Sequence, residues 1–157
     1  TEHIRITLKT TANMTQHLYL IASALIMLGY AALTGIVEAH LFYYKNKTNE
    51  YMRPTYLHFI FTVLRGVMLG VILINPTIEM WFTAAVHGFS IVLMFSFIHN
   101  GVYYIQRNKL DPNIYMRKFF DSSTTSSAWI EMDFPTRLGC FVCGVAVLTV
   151  NLLNIVG

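Results

Sequence analysis

The sequence predicts an all-α integral membrane protein, with four transmembrane helices in an antiparallel bundle and a single domain over residues 1–157. Three observations predict it. Hydrophobic residues make up 55% of the chain and charged residues only 12%, against about 25% charged in an ordinary soluble domain. Four long apolar stretches recur, separated by polar connections that hold most of the basic residues. Trp81 to Ile105 is the clearest of them, twenty-five residues without Lys, Arg, Asp, Glu or Pro. At helical rise it measures roughly 37 Å, enough to cross a bilayer with some tilt.

Taken in order, residues 1–16 read as a polar lead. Glu2, Arg5 and Lys9 within it argue against a cleavable signal peptide. The first span is expected over about 17–44. It ends in Leu41-Phe42-Tyr43-Tyr44 followed by Lys45 and Lys47, an aromatic belt with basic anchors. Pro54 suits the first turn of the second span, about 54–74, and Asn75-Pro76 ends it. The few residues that follow predict a tight hairpin into the third span, about 80–105. The long connection of about 106–136 holds Asp111-Pro112, a good helix start, and a possible short interfacial helix over 113–120. A Ser/Thr-rich run follows at 121–127. The acids of this connection, Asp133 among them, read as loop solvation. The fourth span is expected over about 135–156.

Charge sets the expected orientation. The N-terminal segment, the connection between spans 2 and 3 and the C-terminus hold two basic residues, Arg5 and Lys9. The other two connections hold eight: Lys45, Lys47, Arg53, Arg107, Lys109, Arg117, Lys118 and Arg137. The positive-inside rule then places both termini on the non-cytoplasmic side of a bacterial or archaeal plasma membrane, or of the mitochondrial inner membrane. The net charge of +3 is spread over connections, so nucleic acid is not an expected partner.

Polar residues fall into one stripe per helix. Ser23, Tyr30, Thr34 and Glu38 share a face of helix 1, and Thr55, His58, Thr62 and Arg65 a face of helix 2. Thr83, His87 and Ser90 do so on helix 3, and Cys140, Cys143, Asn151 and Asn154 on helix 4. Such stripes turn inward, away from lipid. Gly66 with Gly70, and Ala84 with Gly88, have the small-residue spacing of close helix contacts.

Arg65 carries the sharpest signal. An Arg in mid-span costs about 2.5–3.5 kcal/mol on insertion scales and needs a partner. Glu38, at a depth the Arg stem can reach, is the expected one, making a buried ion pair that fixes helix packing. His58 and His99 lie at similar depth, with His40 nearby. Imidazoles there are candidate haem or metal ligands. His87 and His99, however, are twelve residues apart and point in different directions, which breaks the stacked column that one helix offers to haem b.

Cys140-Phe-Val-Cys143 near the start of helix 4 is similar to the CxxC of the vitamin K epoxide reductase family. The resemblance covers those four residues. That family relays electrons through a second, upstream cysteine pair, and this sequence has two Cys in all. The pair therefore reads as two small apolar thiols in a packed helix.

Three functional classes follow. The favoured one is a non-catalytic accessory or anchor subunit of a larger membrane complex, without a cofactor, packing through its helices against other subunits or copies of itself. The second is an electron-transfer subunit binding haem b or a quinone at His58, His99, Arg65 and Glu38. The third is a small channel or transporter acting as an oligomer.

Overall fold

The computed structural model describes residues 2–48, 54–73, 81–113, 118–120 and 132–156. They form four helices: α1 (Glu2–Thr48), α2 (Pro54–Leu73), α3 (Trp81–Leu110) and α4 (Phe134–Val156). Three contain segments long and apolar enough to cross a membrane: Thr10–Tyr44, Trp81–Leu110 and Phe134–Leu153. The described apolar stretch of α2, Phe59–Val71, is shorter than these.

Helix α1 corrects the expected polar lead, because its helix already runs from Glu2. Threonines there satisfy their hydroxyls within the helix: Thr11 Oγ1 donates to Thr7 O and Thr15 Oγ1 to Thr11 O, both at 3.0 Å. At 47 residues α1 is roughly 70 Å long. Helix α3 likewise continues beyond the expected boundary at 105, to Leu110. Asp111 then closes a last turn by donating its N–H to Arg107 O at 3.0 Å. The interfacial helix expected over 113–120 falls partly on residues 114–117, outside the described set. Phe119 and Phe120 lie in a turn. The connection expected to make a tight hairpin, 74–80, also lies outside the described residues.

Helix α4 begins at a cap rather than at a merely solvated acid. Asp133 Oδ1 accepts from Thr136 N at 2.9 Å, and Asp133 O accepts from Arg137 N at 3.0 Å. The side chain of the N-cap residue thereby satisfies a backbone donor with no partner inside the helix. These hydrogen bonds from Thr136 hold the exposed Asp133 carboxyl below the usual carboxylate range.

Packing centres on α3. Buried Leu20, Ala24, Met27, Ala31, Thr34 and Glu38 of α1 recur at alternating steps of four and three, the spacing of a helical seam. They face a matching seam on α3 that includes Thr83, His87, Ser90 and Met94. The pairs Ser23 with His87 and His40 with Gln106 ascend together in sequence, so α1 and α3 run in the same direction. Asn151 meets Thr83, while Phe141 and Phe134 meet Phe97, so α4 runs opposite to α3. The core gathers Ala24, Met27 and Tyr30 of α1, Met68 and Leu69 of α2, Ile91 and Phe95 of α3, and Leu148 of α4.

Two glycines let one helix approach the backbone of another closely. A Cβ at Gly35 would lie 2.7 Å from His99 O and 3.2 Å from Tyr103 N, and one at Gly144 would lie 2.7 Å from Ser90 O. Gly66 and Gly70 were expected at a helix contact, but a Cβ at either would have nothing within 4 Å. The spacing of small residues identifies a face, while the close crossings are made elsewhere.

Candidate functional site

The site is a polar network between α1, α2 and α3. Gly35 draws the backbone of α1 onto α3 beside His99. One helical turn further on, Glu38 therefore lies against the same neighbour, and it is buried at 5% side-chain exposure. Arg65 reaches it from α2 and forms an ion pair from Nη2 to Oε1. The same Nη2 donates to His99 Nε2 at 2.9 Å. Both hydrogens of that amino group are thus engaged. His99 Nε2 also lies 3.3 Å from Glu38 Oε1.

These contacts define the tautomer of His99. A nitrogen that accepts from Arg65 carries no proton, so the ring proton sits on Nδ1. Nδ1 then donates to Asn100 Oδ1 at 3.0 Å, and Asn100 Nδ2 donates to Ser96 Oγ at 3.3 Å. The chain of donors runs from Arg65 through His99 and Asn100 to Ser96. Phe95 braces it: its ring stacks on His99 at 5.6 Å, and the Arg65 guanidinium carbon lies 5.2 Å from the Phe95 centroid. The latter is a cation–π distance.

A cavity of about 220 Å³ opens beside this network, lined by Met27, Arg65, Leu69, Ile91, Phe95 and Ser96, with Gly66 and Val92 also on its wall. Val92 is exposed on the outer face of α3, and Val67 next to Gly66 on that of α2.

The other expected candidates lie apart. His40 of α1 donates from Nδ1 to Ile36 O at 3.0 Å, and its Nε2 meets Gln106 Nε2 at 3.5 Å, away from Glu38. His58 belongs to α2, but its side chain lies outside those described. His87 is fully buried higher along the α1–α3 seam, with Nε2 2.7 Å from Ser23 Oγ. Ser23 gives its own proton to Leu20 O at 3.1 Å, so His87 is the donor. Among the described residues no group of three or more His, Cys, Asp or Glu is placed to hold a metal ion. On α4, Asn151 turns inward to donate to Thr83 O at 3.3 Å, but Cys143 is exposed and Cys140 half-buried. The expectation that both thiols pack inside the bundle is corrected for Cys143, because the buried face of α4 is set by Gly144 and Asn151.

Two arginines expected in polar connections are instead buried in helices. Arg107 lies in the last turn of α3, and Arg137 in the first turn of α4, at 4% and 0% exposure. Arg137 donates from Nη2 to Phe119 O at 3.2 Å and lies over the rings of Tyr104 and Phe134 at 5.4 and 5.9 Å. Arg107 lies over Tyr43 at 5.9 Å. Aromatic faces and a backbone carbonyl accommodate these cations. The aromatic residues clustered at the span ends are the signal in the sequence that could locate them.

No family model, curated protein or solved structure matches the chain.

Proposed function

We propose that this chain is a non-catalytic integral membrane subunit, built as four antiparallel spans with both termini on the non-cytoplasmic side. In this reading it packs through its helices against larger membrane proteins or further copies of itself. The observation that carries the reading is the engagement of Arg65 Nη2 and of both His99 nitrogens inside the Glu38–Arg65–His99 network. Both hydrogens of Arg65 Nη2 and both nitrogens of His99 are engaged by neighbours within the bundle. Such a network fixes how helices assemble and offers no bare imidazole nitrogen to an axial metal. The outward faces support the same reading. Leu18, Leu25 and Leu33 of α1 and Val142, Val150 and Leu153 of α4 are exposed apolar side chains suited to lipid or to partner helices.

The test is the protein mass of the assembly released from its native membrane by digitonin, measured by light scattering. A mass well above that of one chain is expected, and a monomer would overturn the subunit reading. A visible spectrum of the same sample addresses the haem alternative. A Soret band lost in both His58→Ala and His99→Ala would replace this reading by electron transfer. The expected sample is colourless.

A further inference from the structure

We infer that the cavity beside Arg65 is a binding site for a neutral lipid with a carbonyl head, of the isoprenoid quinone class. The inference rests on the membrane reading above but not on the subunit reading. It begins with two donors on residues that line the cavity. Arg65 Nε is buried and has no hydrogen-bond partner, although Nη2 of the same group is engaged twice. Ser96 Oγ accepts from Asn100 Nδ2 and so keeps its own proton to give. Arg65 and Ser96 both line the cavity. The remaining wall is apolar and aromatic: Met27, Leu69, Ile91, Val92 and Phe95.

Charge selects the head group. The positive charge of Arg65 is already offset by Glu38 in direct contact. A carboxylate or phosphate entering the cavity would meet that second anion without a free cation to balance it. A carbonyl oxygen accepts from an N–H or an O–H without bringing charge. A flat ring carrying such oxygens also suits a wall that includes the aromatic Phe95. The volume of about 220 Å³ suits a substituted quinone ring but not a whole lipid. The tail would have to leave past Gly66 and Val92, where the wall meets the exposed outer faces of α2 and α3. A Cβ at Gly66 would have nothing within 4 Å, so chain can pass there.

The test uses the full-length protein in phosphatidylcholine nanodiscs, with decylubiquinone as the probe and methyl laurate and laurate as controls. Incorporation into nanodiscs checks the membrane reading separately. Saturable binding of decylubiquinone is expected, with neither control competing. Gly66→Leu places an isobutyl group in the exit, starting from a Cβ with nothing within 4 Å, and should abolish binding while leaving the melting temperature unchanged or higher. Ser96→Ala removes one donor and should weaken binding about three- to tenfold. Equal binding of methyl laurate would overturn the quinone assignment, and equal binding of laurate would overturn the charge argument. No saturable decylubiquinone binding by protein correctly incorporated in nanodiscs, or binding untouched by Gly66→Leu, would overturn the site.

Discussion

Substituting Arg65 should be more damaging than substituting Glu38, although the two form one ion pair. Arg65→Leu strands the carboxylate of Glu38, which is only 5% exposed. Breaking a buried pair by removing one partner costs about 3–5 kcal/mol. One feature reduces that here. The Arg65 side chain is 27% exposed, so the pair is partly screened. A loss of about 2–3 kcal/mol is expected. Glu38→Leu leaves the better exposed partner, whose stem can reorient and whose bond to His99 survives, so about 1–2 kcal/mol is expected. With both changed to Leu no stranded charge remains, and the loss should fall to about 1 kcal/mol. The cycle should therefore give a coupling of about 2–4 kcal/mol. It can be measured by reversible SDS unfolding of the four proteins in one detergent at neutral pH. Additive single effects, or a Glu38→Leu loss as large as that of Arg65→Leu, would refute the reasoning.

Three further outcomes are expected. Gly35→Ala should cost about 1–3 kcal/mol in the same assay, because its methyl meets backbone atoms that cannot yield; Gly70→Ala, in open space, should be neutral or stabilising, and the reverse order would contradict the packing. Asp133 has a folded pKa below its unfolded one, so its contribution is present above the unfolded value and is lost as pH falls through the folded value. Asp133→Ser should keep the cap but flatten that acid-side decline in melting temperature, and an unchanged decline would remove the role of the carboxylate. Single cysteines placed at 3 and 47 in a Cys140→Ala, Cys143→Ala background should label from opposite sides of sealed vesicles, and labelling from one side would sink the four-span topology.

Much of the network is legible in the sequence because burial of charge leaves few choices. Arg65 in an apolar stretch demands a partner, and Glu38 stands at a reachable depth on the preceding helix. The structure brings these two together. The stripes Ser23–Thr34–Glu38 and Thr83–His87–Ser90 likewise lie on buried seams, since a three-and-four spacing specifies one helical face. What spacing does not encode is which neighbour that face meets. Gly66 and Gly70 share a spacing typical of close contacts, yet Gly35 and Gly144 make them. Arg137 is hidden for a related reason. Its acceptor is Phe119 O, a backbone atom in a turn eighteen residues earlier, and no periodicity marks that path. The early start of α1 is masked by Thr-rich polarity, whose hydroxyls turn back onto the helix itself.

The parallel pair α1 and α3 is fastened at two heights: Ser23 to His87 directly, and Glu38 to His99 through Arg65 Nη2. On α1 the two clasps are fifteen residues apart, roughly 22 Å along the axis. A single clasp would act as a pivot and leave the helices free to scissor about it. Two make the pair a braced strut. Sliding or twisting one helix against the other has to break both clasps together, and Gly35 leaves no slack between them. A push on the end of α1 would therefore arrive at the far end of α3 with little lost on the way.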